Sequence, residues 1–139
     1  MNAEDFMKLL IELRACKEAR TWAKDKDLHT VWATCERGDW LLWLTGKMAD
    51  KGGWATRKQV VLAACACAET ALKYVKKGED RPRKAIETAR AWVRGEATTA
   101  QVRAAAAAAY AAATAARVST LKLCADMVRK EIPEPMKNN

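Results

Sequence analysis

Apolar residues recur every three or four positions along most of the chain, which is the spacing of one helix face. Near the N-terminus this pattern includes Phe6, Leu10 and Leu13, with charged residues between them. A segment with this distribution buries its apolar face and exposes its polar face. We therefore predict an amphipathic helix over residues 3–24.

The next two predicted helices are shorter and rich in tryptophan. Asp27 is placed to cap a short helix that contains Trp32. Gly38 then turns the chain, and Asp39 is placed to cap a third helix over residues 40–48. Paired glycines in "ADKGGW" predict the loop that follows it.

Two longer helices follow this loop. Thr56 is placed to begin the first of them, which we expect to stop at Gly78. The second covers residues 81–94, with Pro82 in its first turn and Gly95 just past its end. Proline near a helix start and glycine just past its end are typical of a complete helix.

An alanine-rich helix closes the predicted fold. Thr98 and Gln101 have the spacing of a capping box, and the helical pattern can run to Glu131. Such a helix is roughly 50 Å long, whereas a compact chain of this size is about 40 Å across. Either the helix breaks near residues 118–120 or it protrudes and packs against another subunit. We favour the second arrangement and predict a homo-oligomer.

No segment alternates β-branched and polar residues, so no strand is predicted. The expected fold class is all-α, a compact bundle of five to six helices that ends in the long alanine-rich helix. A chain of 139 residues has the usual size of one domain. We predict a single helical domain over residues 1–132 and a short tail at 133–139.

The cysteines and the N-terminus indicate a cytoplasmic protein. Five cysteines are an odd number without framework spacing, and Cys65 and Cys67 would point to different sides of a helix. The first ten residues are acidic, whereas a signal peptide begins with basic ones. No apolar run is long enough to span a bilayer.

The residues needed for common catalytic sites are scarce. The chain has one histidine, His29, and one serine, Ser119, and neither lies in a nucleophile motif. Paired zinc ligands and a glycine-rich phosphate loop are absent from the sequence. We therefore expect a protein that binds rather than catalyses, with no metal ion and no cofactor.

Charge points to an anionic partner. The chain has 25 Lys and Arg residues against 17 Asp and Glu, a net charge of +8. Such a surplus attracts nucleotides, nucleic acids or acidic proteins. The alternative is that the charge only keeps the protein soluble.

The candidate ligand-binding residues combine cationic and aromatic side chains with one carboxylate, mostly near helix starts. They are Arg37, Asp39, Trp40, Trp43, Arg81, Arg83, Lys84, Tyr110 and Arg117. Arginine at a helix N-terminus favours phosphate or carboxylate, and indole rings stack on bases. The alternative is that the tryptophans are core residues and the arginines a solvated face. We favour the core for Trp32 and Trp92, and leave both interpretations open for Trp40 and Trp43.

The combination of "EARTWA", "WATCERGDWLLWL" and "DRPRKAIETARAWVRGE" with an alanine-rich helix resembles a family of immunity proteins. Its members occur in bacterial polymorphic-toxin loci and in phage genomes. The resemblance covers roughly residues 14–117, and it implies an all-α protein that acts by binding. The signature positions that it implies are Trp22, Arg37, Asp39, Trp40, Trp43, Asp80, Arg81, Pro82, Arg83 and Lys84. The family often has histidine where this chain has Tyr110.

These observations support three functions. The first is a phage counter-defence protein that sequesters an anionic nucleotide-like immune signal in a pocket lined by arginine and tryptophan. The second is an immunity-type protein that blocks a toxin or host defence enzyme by direct contact. The third is weak, non-specific binding of nucleic acid through the basic surface. We favour the first, and expect no membrane partner.

Overall fold

The computed structural model of the chain describes residues 1–110 and 121–136, apart from the side chains of residues 105–110 and 121. Within these ranges the regular elements are all helical, and an isolated antiparallel bridge joins Trp54 to Met136. The helices are α1 (Ala3–Glu12), α2 (Lys17–Ala23), α3 (Leu28–Thr34), α4 (Gly38–Met48), α5 (Arg57–Ala71), α6 (Arg81–Val93), α7 (Thr99–Tyr110) and α8 (Leu121–Glu131), with a 3₁₀ helix at Leu72–Tyr74. The all-α prediction is confirmed, with more and shorter helices than the five to six expected.

Residues Met1–Cys35 form a compact unit that contains α1, α2 and α3. The prediction of one helix over residues 3–24 is wrong, because Arg14 adopts a positive φ of 59° after the end of α1. The amide of Ala15 then donates to the carbonyl of Leu10 at 2.9 Å, which satisfies the end of the helix. A left-handed arginine is uncommon, and the apolar spacing gives no sign of it.

The core of this unit is apolar. Its buried residues are Phe6, Leu10, Ala15, Ala23, Leu28, Val31, Trp32 and Cys35. Trp32 is 4% exposed, so its interpretation as a core residue is confirmed. Asp27 caps α3 as predicted: its carboxylate accepts from the amide of Thr30 at 2.7 Å, and this bond lowers the pKa of Asp27.

Helix α4 opens the second compact unit, which begins at Glu36. The prediction that Asp39 caps this helix is wrong: Arg37 holds the N-cap position, and Asp39 lies in the first turn. The Asp39 carboxylate instead binds the guanidinium of Arg37. Two charge-assisted hydrogen bonds stabilise a carboxylate more than one amide of a cap does.

Helix α5 begins with the capping box typical of its sequence. The amide of Gln59 donates to the Thr56 hydroxyl at 3.2 Å, and the Gln59 side chain accepts from the amide of Thr56 at 2.9 Å. The helix ends at Ala71 rather than at the predicted Gly78. The 3₁₀ helix follows Ala71 directly, and a turn that contains Gly78 comes after it. Gly78 has a φ of +90°.

Helices α6 and α7 pack against each other across a short connection. As predicted, α6 ends just before Gly95, which has a φ of +78° and donates its amide to the carbonyl of Trp92 at 2.9 Å. The predicted capping box that starts α7 is also present. The amide of Gln101 donates to the Thr98 hydroxyl at 3.1 Å, and the Gln101 side chain accepts from the Thr98 amide at 2.8 Å.

Helix α5 is central in the second unit, because it packs against α4, α6 and α8. The Cys67 thiol donates to the carbonyl of Cys124 in α8 at 3.3 Å, and Trp54, before α5, pairs with Met136, after α8. The reversed order of these contacts makes α5 and α8 antiparallel. In the described part of this unit, the core contains the buried residues Leu41, Leu44, Thr45, Ala49, Trp54, Ala55, Val60, Ala63, Cys65, Cys67, Ile86, Ala125, Val128 and Ile132.

The course of the alanine-rich helix beyond α7 lies partly outside the described residues. This applies to the predicted break near Ser119 and to the continuity of the helix as far as α8. The single domain over residues 1–132, with a tail at 133–139, stays a prediction. Among the described residues, no helix has both the length and the apolar character needed to cross a membrane.

Replacing Gly38 with alanine tests the closest helix contact in this unit. An added Cβ would collide with the Cys124 Cβ, and would lie 2.5 Å from the Ala125 nitrogen and 2.6 Å from the Cys124 carbonyl carbon. Because two of these atoms are backbone atoms, α4 and α8 must move apart. We expect Gly38→Ala to lower the free energy of unfolding by about 1–3 kcal/mol, measured by urea denaturation.

Gly46 is the matched control, since it lies in the same helix and an added Cβ there meets no atom within 4 Å. We expect Gly46→Ala to raise the free energy of unfolding by about 0.5–1 kcal/mol, because alanine restricts the unfolded chain and favours helix. Equal effects of the two substitutions would contradict the close approach of α4 to α8.

Candidate binding site

Arg37, Asp39 and Trp40 form a connected group at the start of α4, which we call the α4 corner. The Arg37 Nε donates to one Asp39 carboxylate oxygen at 2.9 Å, and its Nη2 donates to the other at 2.8 Å. The guanidinium carbon lies 4.4 Å from the centroid of the Trp40 ring. The arginine is therefore held by a carboxylate fork and by a cation–π contact.

The start of the helix explains why these three side chains meet. Arg37 and Trp40 are three residues apart, the spacing at which side chains of one helix face touch. Asp39 lies in the first turn, where the helix dipole favours negative charge. The hydrogen bonds from Arg37 lower the pKa of Asp39, because they favour its charged form.

The α4 corner is partly open to solvent. The side chains of Arg37 and Asp39 are 34% and 46% exposed, and the Trp40 ring is half-buried. Trp43, one turn further along α4, is also half-buried. Neither indole is sealed in the core, so each has a packed part and a part that is open to solvent.

The start of α6 carries a second group of charges. The Arg81 Nε and Nη2 donate to the two carboxylate oxygens of Glu79 at 2.7 and 2.5 Å, and Lys84 pairs with Asp80 at 3.0 Å. The Arg81 side chain and backbone amide both bond to Glu79, and they lower the pKa of Glu79 to about 2. Arg83 is exposed beside them.

The structure thus connects some predicted residues but does not show one shared pocket. Arg37, Asp39 and Trp40 touch one another, and Arg81 and Lys84 each bind a carboxylate beside the start of α6. Convergence of these two groups on one ligand stays a prediction. The Tyr110 side chain and Arg117 lie outside the described residues. Within the described chain, no three His, Cys, Asp or Glu side chains cluster as metal ligands.

Our sequence interpretation missed the residues just before this group. Lys73, Lys76 and Lys77 are all exposed, and the Lys73 ammonium lies 5.0 Å from the centroid of the Tyr74 ring. Tyr74 is 49% exposed. The charge run "KYVKKGEDRPRK" was the available signal, but we expected helix α5 to continue through its first half.

A family profile described as "Imm-5 like putative immunity protein" matches residues 53–131. This span is more than half of the chain. The chain belongs to this family. No curated protein and no solved structure matches the chain.

The Imm-5 like profile confirms the resemblance inferred from the sequence motifs, although it spans residues 53–131 rather than roughly 14–117. It includes α5, α6, α7 and α8, and therefore the charges at the start of α6. It begins after the α4 corner and extends beyond Val118. The matched span therefore contains the charged residues at the start of α6 but not those of the α4 corner.

The acidity of Glu79 tests the geometry at the start of α6. Its pKa of about 2 lies below the ordinary 4.5, so the charged carboxylate stabilises the folded state above about pH 4.5, and this contribution is lost as the pH falls toward 2. We expect Arg81→Gln to return the Glu79 pKa toward 4.5 in a carboxyl-carbon NMR titration. Arg94→Gln, which removes the partner of Glu96, should leave it unchanged.

Proposed function

We propose that this protein is an immunity-type protein that neutralises a toxin or a defence enzyme by direct contact, without catalysis. Family membership supports this reading, and the α4 corner is the single structural observation that carries it. The corner presents an arginine and a tryptophan that are already held together at the protein surface.

The composition of the α4 corner suits a protein interface. Tryptophan and arginine are the residues that most often dominate the binding energy of such interfaces. The Arg37 guanidinium is restrained by Asp39 and stacked on Trp40, so little side-chain freedom remains to be lost when a partner binds. Asp39 adds an acceptor for amide or hydroxyl donors of the partner.

The net charge of +8 indicates what kind of surface the partner should have. A binding protein and its target have complementary potentials, so the partner should offer an acidic surface. A toxin that binds nucleic acid through a basic surface fits poorly. The proposal therefore favours a toxin or defence enzyme with exposed carboxylates around its functional site.

Co-expression with toxin genes that neighbour its own tests this proposal. We expect cells to survive one such toxin when this protein is present, and the purified pair to form a complex. Trp40→Ala should weaken that complex by about 2 kcal/mol, roughly thirtyfold, in titration calorimetry. Lys47→Ala, at an exposed position of the same helix, should have little effect.

Circular dichroism would confirm that both variants stay folded. The proposal fails if no toxin is neutralised, or if Trp40→Ala and Lys47→Ala bind equally well.

A second candidate is capture of an anionic nucleotide-like signal, as a phage counter-defence protein would do. The exposed cations at the start of α6 favour it, because helix N-termini and arginine both attract phosphate. Its ligand-binding residues would be Arg37, Asp39, Trp40, Trp43, Arg81, Arg83, Lys84, Tyr110 and Arg117, in a homo-oligomer with the pocket between subunits. We rank it second because Asp39, Glu79 and Asp80 already engage cations of this set.

Titration calorimetry against cyclic and ADP-ribose-type nucleotides tests this second candidate. We expect binding that weakens as salt rises, with a stoichiometry that matches the subunit count from light scattering. Lack of binding across the panel, with folded protein, would eliminate it. Arg83→Gln should reduce nucleotide affinity.

A further inference from the structure

The connection between α5 and α6 concentrates positive charge. Residues 73–84, which we call the basic turn, contain six cationic and two acidic side chains. The cationic residues are Lys73, Lys76, Lys77, Arg81, Arg83 and Lys84, and all six are exposed. This short segment carries a surplus of four charges, half of the net charge of the chain.

The backbone of the basic turn is ordered by its own hydrogen bonds. Leu72 accepts from the amide of Val75 at 3.1 Å, and the Lys76 carbonyl accepts from the amide of Glu79 at 3.0 Å. Gly78 takes the positive φ of +90° that turns the chain toward α6. The lysines are therefore held on an ordered turn rather than on a flexible loop. Because the backbone is already ordered, less conformational entropy is lost on binding.

The charges of the turn fall into two sets. Arg81 and Lys84 bind the local carboxylates of Glu79 and Asp80, so their charge is largely compensated. In the described part of the chain, no carboxylate pairs with Lys76, Lys77 or Arg83. Beside these lies Tyr74, whose exposed ring adds apolar contact area to the surface.

We propose that the basic turn is a docking surface for an acidic segment of a partner protein, distinct from the α4 corner. This inference rests on the proposed function in one respect: the partner that supplies the acidic segment is the toxin or defence enzyme that this protein neutralises. The turn would supply charge attraction that accelerates association, and the α4 corner would supply the close contact that slows dissociation.

An acidic protein segment fits the turn better than nucleic acid does. Glu79 and Asp80 lie between the two groups of cations, where they would repel a continuous row of phosphates. A protein segment can space its carboxylates to meet the lysines and Arg83 separately. The turn already binds carboxylates with fork geometry, as Arg81 does with Glu79.

The test measures binding of two fluorescein-labelled probes by anisotropy: a Glu/Ser peptide and a single-stranded oligodeoxynucleotide of equal charge. We expect the full chain to bind the peptide at low salt. Replacing Lys73, Lys76 and Lys77 together with glutamine should weaken this binding about tenfold, because three exposed ion pairs each contribute about twofold. Replacing Lys17, Lys24 and Lys51 with glutamine removes equal charge elsewhere and should change it less than twofold.

Two further variants separate the contributions within the turn. Glu79→Gln should strengthen peptide binding, because it releases Arg81 and removes a repelling charge. Tyr74→Ala should weaken peptide binding by a factor that persists at high salt, whereas the effect of the three lysines should disappear there.

Three results would overturn the docking surface. They are tighter binding of the oligodeoxynucleotide than of the peptide, equal losses in the two triple variants, and absence of peptide binding. Failure here leaves toxin neutralisation through the α4 corner intact. Conversely, if the peptide binds through the turn but no toxin is neutralised, the proposed function falls and the turn remains a carboxylate-binding surface.

Discussion

The close approach of α4 to α8 is the constraint on which the second unit depends. Gly38 lies against the backbone of α8 at Cys124 and Ala125, a distance that no side chain at position 38 would permit. Cys67 of α5 also bonds with Cys124. Cys124 and burial both raise the pKa of the Cys67 thiol. It therefore stays protonated and acts as a packing and hydrogen-bonding group rather than as a nucleophile.

The same glycine also positions the α4 corner. Arg37 and Asp39 flank it directly, so the packing that fixes Gly38 fixes where both side chains leave the backbone. Their mutual hydrogen bonds and the Trp40 ring then determine the orientation of the guanidinium. Core packing and the proposed contact surface thus share three consecutive residues. The basic turn differs, because it is ordered by local backbone bonds and lies between helices rather than over a packed contact.

The features predicted correctly from the sequence are those that depend on residues close together in the chain. The capping boxes of α5 and α7, and the glycine after α6, were recognised because they involve residues within a few positions of each other. The break at Arg14 was missed because a left-handed arginine has no sequence signature. Asp39 was wrongly assigned as a cap, because its hydrogen bonds with Arg37 depend on side-chain geometry that the sequence does not show. The contact between Cys67 and Cys124 joins residues far apart in the chain, and neither spacing nor composition reveals such a pair.

Trp54 and Met136 pair through their backbones, which brings together the start of the family-matched span and the segment just after its end. A segment whose ends meet can be excised from one protein and inserted into a surface loop of another with little strain. That exchange would separate α5 to α8 from α4, which packs against both α5 and α8, so α4 has to be transferred with them.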